Sequence, residues 1–196
     1  MKTTMKEKII RSMLGLLQTQ GLKFTMDDIV RDLRISKSTL YNNFKSRDAL
    51  FEAMIDYLFE TLDAEEREVL ESDASLDEKL IAIISVFPRE FGVFQNHVYQ
   101  SLMNMPAVYD KIHAHNQQRF AHFNEYLDKG VKDGLVRENI PRDVFFHLLL
   151  LAQRGMTDPN VLASFNMTYR DAVNESLEIM LHGIMTDEGQ HQTESK

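Results

Sequence analysis

The chain has 196 residues, 43% of them hydrophobic and 27% charged, with a formal net charge of −8 and no cysteine. This is the composition of a globular chain of one or two small domains, and the absence of cysteine removes disulfides, thiol nucleophiles and cysteine-ligated zinc. No apolar run approaches the roughly 18–20 residues that span a bilayer, and the first twenty residues lack a signal-peptide pattern, so a cytoplasmic location is expected.

The charge is unevenly spread. Residues 1–50 hold ten lysines and arginines against five acidic residues, and the remainder holds twelve against twenty-five. A basic head on an acidic body points to polyanion binding at one end and a different task at the other. Glycine and proline number only 8 and 4, which favours an all-α chain.

In chain order, Thr4-Met-Lys-Glu7 has the form of a capping box. Ile9, Ile10, Met13, Leu14, Leu16 and Leu17 follow at helical spacing, so a helix is predicted over 5–20, stopped by Gly21. Thr25 and Asp28 open a second helix over 26–33, with Ile29, Val30 and Leu33 on its apolar face. Ser36 caps a third over 37–43, with Leu40 and Phe44 turned inward. Ser46 caps a fourth from Arg47, whose stripe of Leu50, Phe51, Met54, Tyr57, Leu58 and Leu62 runs on for several turns. After a break at 71–75, Ser75 and Glu78 open a helix expected to end near Pro88. Further helices are predicted over 107–129, closed by Gly130 and Gly134; over 142–156, with Pro141 at its first turn; and over 169–185. Residues 187–196 read as a frayed polar tail.

The two short helices in 25–44 are too short to persist alone. They hold only if the helix over 5–20 packs against both, which makes a compact three-helix unit with a turn at Arg34-Ile35-Ser36. A basic unit of this kind is a helix-turn-helix, whose second short helix enters the major groove of DNA. The chemistry of 36–47 suits that use. Ser36, Ser38 and Thr39 are short donors and acceptors that let the backbone approach closely. Lys37 reaches guanine or phosphate, and Asn42 and Asn43 match adenine edges. Tyr41 offers a hydroxyl to phosphate, and Lys45 and Arg47 flank the start of the next helix, where backbone phosphates bind.

The segments "KIIRSMLGLLQTQG", "FTMDDIVRDL" and "ISKSTLYNNFKSRDALFEAM" resemble the amino-terminal domain of TetR-family (TetR/AcrR-like) transcriptional regulators. The most specific part is Ser36-Lys-Ser-Thr-Leu-Tyr41, followed by Phe44-Lys-Ser-Arg47 and Leu50. Carried over position by position, the resemblance implies phosphate contacts at Thr25, Lys37, Tyr41, Lys45 and Arg47. It implies a groove-facing side at Ser36, Lys37, Ser38, Thr39, Asn42 and Asn43, and core positions at Leu14, Leu17, Ile29, Leu40 and Phe44. The chain departs from the family pattern in three places. Arg34 stands where glycine is usual, Val30 where a small residue is usual, and the loop after Gly21 is about one residue short. Arg34 must then carry the turn with a side chain, at about 1 kcal/mol if its φ is positive.

The resemblance implies an all-α chain. It has a three-helix DNA-binding head over 1–46, a helical-bundle ligand-binding and dimerisation domain over 47–186, and a flexible tail. Dimerisation is expected through the last two long helices, where 143–156 is broadly apolar and Val173, Leu177, Met180, Leu181 and Ile184 recur at helical spacing. Phe91, Phe94, Tyr99, Met103, Phe120, Phe123 and Tyr126, with His122 as a polar partner, are the candidate lining of a ligand pocket. His113, His115 and His122 lack the further ligands that a metal site needs. No nucleophile–base set, Gly-rich phosphate loop or HExxH is present, so neither enzyme activity nor a cofactor is expected. The expectation is a ligand-responsive regulator: a repressor that binds a palindromic operator as a homodimer and is released by a small, largely apolar effector. The alternatives are an activator of the same fold and a small helical enzyme or ligand-binding module.

Overall fold

The computed structural model describes residues 3–84, 101–156, 161, 164 and 169–185. Its helices are α1 (Met5–Gln20), α2 (Met26–Leu33), α3 (Lys37–Asn43), α4 (Arg47–Leu70), α5 (Leu76–Ile84), α6 (Pro106–Lys132), α7 (Arg142–Gly155) and α8 (Tyr169–His182), with a 3-10 turn at Gly21–Lys23. Among the described residues the only β pairing is an isolated bridge between Val136 and Met185. No described helix is long and apolar enough to cross a membrane.

The described residues pack into two compact units. One takes in residues up to Thr61 together with 101–114, and the other 62–84 and 115 onward. The division by packing passes through α4 and α6, each of which gives one part of its length to each unit.

The first unit is built on caps that can be read from the sequence. Thr4 and Glu7 satisfy each other's backbone N–H groups, at 2.7 and 3.2 Å. Thr25 and Asp28 do the same for α2, at 2.6 and 3.3 Å. Several of the N–H groups that a helix start leaves without partners are thereby used. Ile9, Ile10, Met13, Leu14 and Leu17 of α1, Phe24, Ile29, Leu40, Phe44, and Leu50, Phe51, Met54, Ile55 and Leu58 of α4 form one buried cluster. The Ser12 hydroxyl bonds the Asp32 carboxylate and ties α1 to α2.

Two helices end in the same way. At the end of α2, Ile35 N–H bonds Val30 O at 3.2 Å and Arg34 N–H bonds Arg31 O at 3.3 Å. At the end of α6, Leu135 N–H bonds Gly130 O at 2.8 Å and Gly134 N–H bonds Val131 O at 3.1 Å. Both are Schellman ends, which put one residue in the left-handed region. Gly134 takes that place with φ 73°. At the other end it falls to Arg34, with φ 53° and ψ 41°, the one described non-glycine residue at positive φ. The side-chain-bearing turn expected from the sequence is therefore present.

The second unit buries Leu80, Ile83 and Ile84 of α5, Phe123 and Leu127 of α6, Phe145, Phe146, Leu149 and Leu150 of α7, and Val173, Leu177 and Leu181 of α8. Helix α6 runs past Gly130, three residues beyond the expected stop. Gly130 is buried inside the helix because a Cβ there would come within 2.6 Å of both Leu76 and Val136. Its role is close packing, and Gly134 is the stop. The last helix ends at His182, short of the expected 185. There Ile184 O instead accepts from Arg137 N–H at 3.0 Å.

Candidate nucleic-acid interface

Helix α3 is two turns long and is held by a single fully buried side chain, Leu40, with Phe44 closing the core behind it. A helix this short is stable only through such packing, and Lys37, Ser38, Tyr41 and Asn42 are left exposed. Ser36 is the N-cap, and its hydroxyl accepts from Thr39 N–H at 3.0 Å. The same oxygen is hydrogen-bonded to Ser38 Oγ and Thr39 Oγ1, both at 2.8 Å. The three hydroxyls at the start of α3 thus form one connected cluster.

Beyond this cluster the candidates fall into three groups. Tyr41, at 43% exposure, Asn42 and Lys45 present their side chains to solvent. Lys37 is also exposed, but its Nζ is paired with Asp27 Oδ2 at 2.7 Å, and this hydrogen bond holds the ammonium above the ordinary lysine range. Asp27 was not among the residues singled out from the sequence. It lies in the first turn of α2, where an acidic residue complements the helix dipole.

The third group is engaged within the head. Asn43 donates from Nδ2 to Thr39 O at 2.8 Å, back onto its own helix. The Thr25 hydroxyl donates to Asp28 Oδ2 at 2.7 Å as part of the α2 cap. The hydrogen bonds from Thr25 hold the Asp28 carboxyl below its usual range. Arg47 donates to Leu22 O at 2.7 Å, and its guanidinium lies 4.8 Å from the Phe24 ring centre and 5.1 Å from that of Phe51. A guanidinium stacked between two rings and bonded to a carbonyl is a bolt between the 3-10 turn and α4.

The ligand-pocket candidates are dispersed. Phe91, Phe94 and Tyr99 lie outside the described residues. Met103 is half-buried in the first unit. Phe123 is fully buried in the second, 5.3 Å from the Phe146 ring and 6.0 Å from that of Phe145, and Phe120 sits 5.0 Å from Phe146. These rings are packed core. Tyr126 lies beside them, with Lys129 Nζ 4.1 Å above its ring. His122 faces the other way, its Nδ1 3.0 Å from Glu66 Oε1.

The row Val173, Leu177, Leu181 and Ile184, expected at a dimer interface, is buried within the chain's own core. The outward apolar residues are Val144, Leu148 and Leu151 on α7 and Ile179 on α8, between 48% and 71% exposed.

Residues 9–54 match the family described as bacterial regulatory proteins, tetR family. An uncharacterized HTH-type transcriptional regulator of Bacillus subtilis, YvaF, is 23% identical over 188 residues, covering 94% of this chain and 97% of its own. The nucleoid occlusion factor SlmA of Idiomarina loihiensis is 21% identical over 175 residues, with 87% and 81% covered. Among solved structures, a TetR transcription regulator from Haloarcula marismortui superposes with a TM-score of 0.73 at 16% identity, covering 92% of this chain and 98% of the other. The ketosteroid regulator KstR2 of Mycobacterium tuberculosis does so with a TM-score of 0.64 at 16% identity, covering 95% and 98%. The matched segment spans most of α1, then α2, α3 and the start of α4, the unit whose outward face carries the polar cluster; that head matches the tetR family of bacterial regulatory proteins, and the chain shares its overall fold with the solved regulators.

Proposed function

We propose that the protein is a homodimeric repressor that binds a palindromic operator through α3 and is released by a small-molecule effector held in the second unit. The observation that carries the reading is the outward face of α3. Lys37, Tyr41 and Asn42 stand exposed on a helix pinned by Leu40, and Lys45 stands exposed just past its end. Asn42 is the candidate base reader, because an amide pairs with adenine through two bonds. Tyr41 and Lys45 contact phosphates and set the register, and the Ser36 cluster lies on the groove-facing side.

A single head reads too few base pairs to be selective, and a pair of heads one helical turn apart, about 34–36 Å, reads a palindrome. The exposed row Val144, Leu148 and Leu151, with Ile179, supports self-association. Four large apolar side chains about half exposed or more on two neighbouring helices are costly to leave in water. Helix α4 starts at Arg47, the bolt of the head, and reaches Glu66 in the second unit. An effector that prefers one placement of α4 shifts the dimer toward a form that does not dock both heads, and only by as much as it prefers that form.

Selection of bound duplexes from a random pool tests the reading. The expected result is a palindromic consensus with half-sites about one turn apart. A pool that shows no sequence enrichment after repeated rounds overturns it. Leu148→Glu is expected to give a monomer in light scattering that no longer retains the consensus, and an unchanged dimer would remove this row from the interface.

A further inference from the structure

The second unit holds an open crevice that its aromatic core does not predict. One wall is α4, with Asp63, Glu66, Arg67 and Leu70. The other is α6, with Gln118, Arg119 and His122. Its volume is about 180 Å³, the space of about six waters at ~30 Å³ each. Six of the seven lining residues are polar, with Leu70 and the carbon stems of the long side chains supplying the rest of the wall.

Two of the charges are buried, Glu66 at 6% exposure and Arg119 at 5%. Taking an ion out of water costs several kcal/mol, so each needs a reason to be there. Arg119 has one in the fold. It donates from Nε to Ile83 O at 2.5 Å and from a terminal nitrogen to Ala82 O at 3.2 Å, covering the end of α5. Gln153 joins it there, giving its amide N–H to Ile84 O. Burial lowers Arg119 to about 10, with Glu66 and Asp63 opposing the shift, so it remains a cation at neutral pH.

Of the two carboxylates only Glu66 is buried, and the charge of Arg119 offsets it, while Asp63 is part-exposed. Arg119 spends its described bonds on carbonyls, not on Glu66 or Asp63. Glu66 is engaged by His122, and Asp63 by His115 Nε2 at 2.9 Å. A carboxylate has about four acceptor sites, so both retain capacity for a donor in the crevice. Arg67 and Gln118 are exposed on its rim and supply donors for an acceptor. The formal charges of Asp63 and Glu66 balance those of Arg67 and Arg119. A ligand with net charge would leave one uncompensated in a partly desolvated space, whereas a net-neutral dipolar ligand meets both signs.

We propose that this crevice is the effector site, and that its ligand is a small zwitterion of amino-acid size, with an ammonium on Asp63 and Glu66 and a carboxylate on Arg67 and Gln118. This rests on the regulator reading above. It places the effector in the charged crevice and not among Phe120, Phe123 and Tyr126.

The test is titration calorimetry of the full-length protein with each of the twenty free L-amino acids. For the tightest, the decarboxylated amine and the deaminated acid follow as controls. At least one zwitterion is expected to bind saturably and at least ten-fold tighter than either control. Glu66→Gln and Arg67→Ala should each weaken it at least ten-fold. Arg67 is exposed, so its variant keeps the test open if the buried Glu66 change impairs folding. No saturable binding in the panel, binding equally tight for the amine alone, or binding unmoved by Arg67→Ala overturns the proposal. Duplex selection separates the two readings. A protein that selects an operator but binds no zwitterion remains a regulator whose crevice is not the effector site. One that binds a zwitterion but selects no duplex loses the regulator reading alone.

Discussion

Replacing Arg34 by glycine is expected to make the protein more stable, although it removes a charged side chain from the DNA-binding head. Arg34 occupies the left-handed position of a Schellman end at φ 53° and ψ 41°. That conformation costs an L-residue about 1–2 kcal/mol. Glycine does not bear this cost, but it loses about 0.5–1 kcal/mol through its greater freedom in the unfolded chain. The net gain is about 0–1.5 kcal/mol, centred at about 0.75 kcal/mol, and at about 2–4 °C per kcal/mol for chains of this length the melting temperature rises by about 1–3 °C at that centre and by no more than about 6 °C. Arg34→Ala is the control, because it removes the exposed side chain and keeps the strain. It is expected to stay within about 0.5 kcal/mol of wild type. Urea and thermal melts followed by circular dichroism measure both. If Arg34→Gly is no more stable than Arg34→Ala, the strain argument is wrong.

The same reasoning has the opposite sign at Gly21, where φ is 59° and ψ −145°. This region is open essentially to glycine alone, so Gly21→Ala is expected to lose about 1–3 kcal/mol in the same melts. Gly130→Ala puts a methyl against Leu76 and Val136 and is expected to lose about 1–3 kcal/mol through overpacking, with an unchanged midpoint as the contrary result. Asp27→Asn frees Lys37 from its ion pair. Binding to random duplex is expected to tighten, and the slope of log affinity against log salt to steepen by about 0.9, one phosphate's worth; an unchanged slope shows that Lys37 was already available. His115 is held below the ordinary imidazole range by burial and by Arg119, against the pull of Asp63 and Glu66. As pH falls the unfolded chain therefore binds a proton there before the folded chain does. The stability linked to His115 is whole above about pH 6.5 and declines as pH drops through that value toward the folded pKa. Urea midpoints at pH 7.5, 6.5 and 5.5 are expected to fall less steeply for His115→Gln than for wild type.

The head was legible because its signals are local. Thr4 with Glu7, Thr25 with Asp28 and Ser36 before Lys37 each act within three residues, so the bounds of α1, α2 and α3 follow from the chain itself. The inward residues Leu40 and Phe44 follow from the same periodicity. What each outward side chain does was less legible. Arg47 was read as a phosphate contact, and its engagement with Leu22, Phe24 and Phe51 depends on the fold of a turn more than twenty residues away. Gly130 looked like a helix stop because glycine usually is one. Its packing role needs Leu76, which is remote in sequence. The crevice was hidden for a related reason. Asp63, Glu66 and Arg119 look in the sequence like any solvated charges, and only the meeting of α4 with α6 brings them together and buries Glu66 and Arg119. The spacing of His115 and His122 suggests a shared helix face, whereas each meets a carboxylate more than fifty positions earlier in the chain. On α8 the regular apolar row proved to be core, and the outward residue Ile179 lies off that row.

The central claim is that α3 reads sequence while its flanks bind charge. It is tested most directly by comparing wild type, Asn42→Ala and Lys45→Ala on a selected duplex and on a scrambled duplex of the same composition, at two salt concentrations. The account predicts that Asn42→Ala loses about 1–3 kcal/mol on the selected duplex and almost nothing on the scrambled one. Lys45→Ala should weaken both alike and flatten the salt slope. Equal losses on both duplexes for Asn42→Ala, or none on either, would contradict it.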